Sequence, residues 1–198
     1  MRKSKRLLAS VVVAGMIIGG GIQGRVSAQQ LNSPTLDLVL FFSNADVPNS
    51  VQVPAPDRLI VTERSGEVSV RTWIGSDGQV KSTVQLVRTG PGATLTLTVK
   101  LVSITEFEVT GRIVFDDAQG STLEFQSVGR GSFAEEAVLI NGIPFTHGGY
   151  VARVTQATGR FAGMTGTVTD NFWLDVSGGT LDRAIGYQFV VIRLAQRQ

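Results

Sequence analysis

Alternation of apolar and mostly polar residues in two neighbouring stretches constrains this fold more than any other feature. Every second residue from Ala93 to Leu101 is apolar, and the spacing returns from Phe107 to Phe115, where Gly111 takes one position. A period of two is that of a β-strand with one buried face. Roughly ten short strand-like runs follow one another with turns between them, and none carries a sustained helical period. The sequence therefore predicts an all-β protein, either a closed barrel or a sandwich.

The N-terminus has the three parts of a secretory signal peptide. Four basic residues among the first six precede the 12-residue, mainly apolar run Leu7–Ile18, and the small-residue triplet Val26-Ser27-Ala28 follows. The run is shorter than the about 20 residues that a membrane-spanning helix needs. We therefore expect a secreted protein, extracellular or periplasmic, after cleavage near Ala28. No membrane span is predicted in the mature chain.

Charge and cysteine content exclude several classes of function. The predicted signal peptide contains five of the 18 basic residues and none of the 16 acidic ones, so 13 basic residues remain and the mature chain has a formal charge of −3. The net negative charge and the lack of a basic stripe in the sequence both argue against nucleic-acid binding. The chain has no cysteine, which excludes disulfides, thiol nucleophiles and cysteine-ligated metals. No metal and no cofactor are predicted.

The predicted domain organisation is a single domain behind the signal peptide. Residues 1–28 form that peptide, residues 29–57 contain a first strand and a proline-containing segment, and residues 58–198 form the β-barrel domain. Within it, Arg64-Ser65-Gly66 is predicted to turn a hairpin, and residues 133–140 are predicted to form one strand.

Three glycines surround one aromatic residue between two predicted strands near the C-terminus. Gly159, Gly163 and Gly166 flank Phe161. This spacing indicates a tight corner in which backbone packs on backbone and one ring fills the gap. We therefore interpret the four residues as a structural motif.

The segment around this corner resembles the allene oxide cyclase and dirigent barrel superfamily. Residues 154–166 read Val-Thr-Gln-Ala-Thr-Gly-Arg-Phe-Ala-Gly-Met-Thr-Gly, similar to a corner of the type Thr-Gly-Gly-Thr-Gly-x-Phe-x-Gly-x-x-Gly, and residues 111–121 and 129–133 are similar to the strands before it. Gln156-Ala157 stands where the family has two glycines. The resemblance implies a closed antiparallel eight-stranded barrel of the calycin type, with an apolar lumen, often assembled as a homotrimer. No residue matches the catalytic positions of either enzyme group, so no activity is carried over.

Three residues are candidates for acid or base catalysis in such a lumen. Glu135 is predicted to face inward beside Phe133, because adjacent side chains of a strand point to opposite faces and Glu136 then faces outward. Asp170 is predicted to share the apolar face of its strand. His147, the only histidine, is predicted to lie in a loop near the barrel mouth, where its ordinary titration range suits acid–base chemistry. The alternatives are a structural ion pair for Glu135 and a hydrogen-bonded loop residue for His147.

Aromatic residues form the candidate ligand-binding set, which consists of Trp73, Phe133, Tyr150 and Trp173. The two tryptophans can wall a pocket, although packing in a core or a subunit interface is commoner for this residue. Glu108, by contrast, stands on the polar face of its strand and is expected to face water.

The function predicted from these features is binding or shielding of a small apolar molecule in the lumen, since small barrels either fill with side chains or enclose one ligand. One alternative is an isomerase or cyclase, or a dirigent-like protein, that steers a reactive intermediate with Glu135 or Asp170. A second is a structural, self-associating barrel. A lumen packed solid excludes both ligand hypotheses, whereas a cavity with an inward carboxylate favours the enzyme and one without it favours carriage.

Overall fold

The structure is a computed structural model that describes residues 35–74, 76–87 and 92–197, with the backbone alone described for 66–74 and 80–87. The predicted signal peptide lies outside the described residues. The described chain contains twelve strands: β1 Thr35–Ser43, β2 Val51–Ala55, β3 Arg58–Ile74, β4 Val80–Val87, β5 Ala93–Leu101, β6 Glu106–Phe115, β7 Thr122–Ser127, β8 Gly131–Phe133, β9 Val138–Ile140, β10 Ile143–Ala157, β11 Met164–Asp175 and β12 Ile185–Gln196.

Eight of these strands close into an antiparallel barrel. The order around the ring is β1, β12, β11, β10, β7, β6, β5 and β3, and β3 returns to β1 where Arg64 lies opposite Ser43. The predicted fold class, an all-β closed barrel of eight antiparallel strands, is confirmed. β8 continues the path of β7 between β6 and β10. The remaining strands, β2, β4 and β9, form hairpins beside the ring. Within the described ranges, no helix is both long and apolar enough to cross a membrane.

The inner faces of β5 and β6 carry the predicted apolar residues. Alternate residues are buried from Ala93 to Val99, and Phe107, Val109, Ile113 and Phe115 are buried on the next strand. Glu108, which lies between Phe107 and Val109 in β6, is exposed on the outer face of the barrel, as expected. The core of the protein is therefore the filled part of the barrel lumen.

Two predictions about strand boundaries are wrong. Arg64-Ser65-Gly66 is not a turn, because β3 is continuous there and is paired with β1 on one edge and β5 on the other. Residues 133–140 form β8 and β9 with a bend at Glu135-Glu136 instead of one strand. A barrel strand would force one of these adjacent carboxylates into the core, whereas the bend leaves both in water.

The glycine-rich corner closes one end of the barrel. β10 ends at Ala157, a single 3-10 turn follows at Gly159–Phe161, and β11 begins at Met164. The ring of Phe161 is fully buried and its centroid lies 4.9 Å from that of Phe115. The guanidinium carbon of Arg160 lies 5.0 and 4.6 Å from the Phe115 and Phe161 ring centroids, respectively. A site open to solvent must therefore lie elsewhere in the lumen.

Gly166 allows β11 to approach β12 closely beside this corner. A Cβ atom at Gly166 would lie 1.9 Å from the carbonyl oxygen of Arg193. Relieving that overlap requires backbone movement, so we expect Gly166→Ala to lower the free energy of unfolding by about 2 kcal/mol. Urea denaturation measures this change. The control is Thr167→Ala at the exposed next position, and equal effects of the two substitutions would contradict the close-approach argument.

Candidate functional site in the barrel lumen

A cavity of about 60 Å³ lies in the lumen toward the end opposite the corner. Leu174, Ala184 and Gly186 mark its position, where β11 ends and β12 begins. Its wall is mainly aliphatic and aromatic, and the aromatic residues are Phe107, Phe133, Tyr150 and Phe172. The polar groups that reach it belong to Asn44, Glu63, Tyr150 and Gln188. The lumen is thus neither packed solid nor uniformly apolar.

Glu63 is the charged residue among the described residues that line this cavity. It follows Leu59 and Val61 on the inner face of β3, and its side chain has 0% exposure. Burial raises the pKa of Glu63 from an ordinary value of 4.5 to about 7, and the amide of Gln188 offsets part of that rise. This amide lies near the carboxyl group without meeting hydrogen-bond geometry, so neither carboxyl oxygen has a hydrogen-bond partner among the described residues. An acid that titrates near neutral pH therefore faces the cavity.

The absence of a side chain at Gly186 makes room for this carboxyl group. A Cβ atom at Gly186 would lie 2.7 Å from Oε1 of Glu63. The glycine backbone is held by Asn44, whose Oδ1 accepts a 2.7 Å hydrogen bond from the Gly186 amide and whose Nδ2 donates to the Ala184 carbonyl at 3.1 Å. The backbone at the start of β12 therefore leaves space for the carboxyl group of Glu63 in β3.

Tyr150 and Asp170 form a second polar pair in the lumen. They lie opposite each other in the register of β10 and β11, and both side chains are buried. Burial raises the pKa of Asp170 well above its usual range, the Tyr150 hydroxyl opposes that rise, and the charge of Glu63 adds to it. Burial likewise raises the pKa of Tyr150, helped by Asp170 and Glu63. The two side chains are close but miss hydrogen-bond geometry.

Three of the residues predicted from sequence come together inside the barrel. Phe133 and Tyr150 line the cavity, and Asp170 faces inward as predicted. Asp170 does not line the cavity itself, since Tyr150 is the member of the pair that reaches it. The inward carboxylate on the cavity is Glu63, which the sequence did not single out.

His147 and Trp173 lie on the outside of the barrel. They are opposite each other in β10 and β11, with ring centroids 4.9 Å apart, and both are exposed. The prediction that His147 lies in a loop is wrong, because the barrel ladder extends through Pro144–Gly149. Trp173, a candidate for the wall of a pocket, does not line the lumen cavity, because period two places it on the face opposite Phe172.

The predicted inward position of Glu135 is also wrong. It lies exposed in the bend between β8 and β9, where no strand directs it toward the lumen. Glu135 therefore contributes nothing to the lumen cavity. Trp73 lies in β3, but its side chain is outside the described part of the structure.

Sequence reasoning missed three polar residues of the cavity. Glu63 ends the alternating run 59–63, and Gln188 is the polar member of the alternating run 186–194. A polar residue in register with buried apolar ones was therefore the available signal for both. Asn44 follows the last residue of β1, and no local pattern marks it.

The chemistry available to the site is that of the residues that line the cavity. Among the described residues, no three histidine, aspartate or glutamate side chains converge in a way that could hold a metal ion. A search among protein-family models, curated proteins and solved structures finds no match to the chain. The cavity is an apolar pocket with a few convergent polar groups, and one of these groups is a carboxyl whose pKa is raised. This combination is typical of a small-molecule site.

Proposed function

We propose that the protein is a secreted barrel that binds or shields a small, mainly apolar molecule in its lumen. The observation that carries this proposal is the cavity of about 60 Å³ walled by four aromatic residues. A barrel built only for stability is expected to fill such a space with side chains, because each void costs contacts. The signal-peptide pattern supports secretion, and the resemblance to the allene oxide cyclase and dirigent superfamily supports a lumen used for small molecules.

Native mass spectrometry of the protein purified from its own host tests this function. We expect a non-covalent small-molecule adduct that disappears on denaturation. The variant Val99→Phe fills the cavity from β5 and is expected to lose the adduct. The matched control is Val151→Phe, because Val151 is 48% exposed on the outer face of β10 and its variant should keep the adduct. Absence of an adduct from the wild type, or its survival in Val99→Phe, contradicts lumen binding.

A second candidate function is isomerisation or cyclisation of a reactive intermediate in the same cavity. The observation in its favour is Glu63, an inward carboxyl whose pKa of about 7 suits proton transfer near neutral pH. Incubating the released ligand with fresh protein distinguishes the two. A carrier returns the ligand with its fragmentation pattern unchanged, whereas an isomerase changes the pattern without changing the mass.

A further inference from the structure

The unpartnered polar atoms of the cavity are dominated by hydrogen-bond acceptors. Both carboxyl oxygens of Glu63 and the Oε1 atom of Gln188 are buried without a hydrogen-bond partner among the described residues. The hydroxyl of Tyr150 is the remaining unpartnered group that reaches the cavity. A buried acceptor without a donor loses its hydration without compensation. Unpartnered hydrogen-bond donors are therefore scarce in the cavity: the Tyr150 hydroxyl can donate as well as accept, and the other three unpartnered atoms are carboxyl or amide oxygens.

Positive charge is lacking as well. Of the described residues that line the cavity, none is arginine, lysine or histidine. The titratable groups that face Glu63 are Tyr150 on β10 and Asp170 on β11, and both are neutral or negative. An ionised Glu63 thus has no protein counter-charge, and a buried carboxylate in that position favours a cation.

The aromatic residues around the cavity also favour a cationic ligand. The ring of Phe107 lies 4.6 Å from Phe133, 5.8 Å from Phe172 and 6.2 Å from Tyr150, measured between centroids. Aromatic faces carry partial negative charge and attract ammonium groups, most strongly where water is excluded. They also pack against alkyl chains.

We propose that the cavity binds a small primary alkylammonium ion, whose N–H groups donate to Glu63 and to Oε1 of Gln188 while its alkyl chain packs on the phenylalanine rings. This inference rests on the proposed lumen-binding function and specifies the polar group of the ligand. A cavity of about 60 Å³ sets the size, since a cavity of about 150 Å³ accommodates benzene. By that ratio the cavity encloses about two or three non-hydrogen atoms, so n-propylamine, with four, stands at the upper limit of size for a probe.

A neutral alcohol of the same size satisfies the site less well. A hydroxyl donates one hydrogen bond, whereas an ammonium group donates three and also neutralises the carboxylate. The affinities of the two ligands should also depend differently on pH. Propylammonium stays charged from pH 6 to 8, since amines of this type have a pKa near about 10, so its affinity should rise as Glu63 loses its proton.

Titration of the folded protein with n-propylamine and with 1-propanol, followed by NMR, tests the inference. Affinities are expected in the millimolar range for ligands this small. At pH 8 we expect n-propylamine to bind at least tenfold more tightly than 1-propanol, and its affinity to fall about tenfold between pH 8 and pH 6. The amide signals of Tyr150 and Phe172 should shift, while those of His147 and Trp173 on the outer face should not.

Two variants separate the charge from the shape of the site. Glu63→Gln keeps the size of the side chain and removes the charge, so n-propylamine should bind this variant no more tightly than 1-propanol does. Glu108→Gln removes an exposed carboxylate from the outer face of β6 and should change neither ligand's affinity. The pH series on the wild type remains decisive even if a variant is poorly folded.

Two results overturn the inference, and they differ in what they leave standing. If 1-propanol binds as tightly as n-propylamine, with the same pH profile, the ammonium specificity is wrong and lumen binding stands. If neither probe shifts the lumen signals, both the ammonium specificity and the proposed lumen binding are wrong.

Discussion

Phe161→Ala is expected to lower the free energy of unfolding by about 4 kcal/mol, because it removes a large ring from a site that cannot collapse. The ring has 0% exposure and its centroid lies 4.9 Å from that of Phe115. The backbone on both sides is fixed, since the Arg160 amide donates a 2.9 Å hydrogen bond to Ser121 Oγ and a Cβ at Gly159 would lie 2.3 Å from the same oxygen. Guanidinium denaturation followed by far-UV circular dichroism measures the loss.

Phe41→Ala is the matched control for the corner. Phe41 is a half-buried ring on the outer face of β1, stacked at 6.4 Å on Tyr187, and its removal should cost about 1 kcal/mol. If Phe161→Ala and Phe41→Ala lower the free energy of unfolding equally, then Phe161 does not fill and stabilise the end of the barrel as argued. Because the corner lies at the end opposite the cavity, folded Phe161→Ala protein should still carry the lumen ligand in native mass spectrometry.

The alternation of single strands made much of the barrel predictable. The runs beginning at Ala93 and Phe107 showed which residues face the core, because burial of one strand face imposes a period of two. The break in residues 133–140 was not predictable in the same way. Period two is equally compatible with Glu135 facing inward, whereas the bend leaves both adjacent carboxylates exposed, which neighbouring positions of a strand with one buried face cannot both be.

The candidate site was less predictable than the fold, because it depends on contacts between distant segments. Glu63 continues the inward alternation of Leu59 and Val61, yet the following Arg64-Ser65-Gly66 has the composition of a turn, which made Glu63 resemble an exposed strand end. The structure keeps β3 extended there by pairing both of its edges. Space for the Glu63 carboxyl comes from Gly186 in another strand, and no local pattern connects the two positions.

Burial of Glu63 should make the protein less stable as the pH rises from 5 to 8. The unfolded side chain loses its proton near its ordinary pKa of 4.5, whereas the folded one keeps it to a pKa of about 7. Between these values the native state binds more protons than the unfolded state, so raising the pH favours unfolding. The loss attributable to Glu63 is about 3 kcal/mol when complete. Urea denaturation at several pH values measures it.

Glu63→Gln should remove the part of this pH dependence that comes from Glu63 and should make the protein more stable than the wild type at pH 8. A decline is expected to remain, because burial raises the pKa of Asp170 well above its usual range and its contribution has the same sign. The carboxylates with lowered pKa values, such as Asp37 and Asp117, contribute a loss of stability only as the pH falls below about 4, outside this window. Glu108→Gln serves as the control and should leave the slope unchanged. A wild type whose stability is constant from pH 5 to 8, or a Glu63→Gln variant with an undiminished slope, contradicts the placement of an unpaired Glu63 in the lumen.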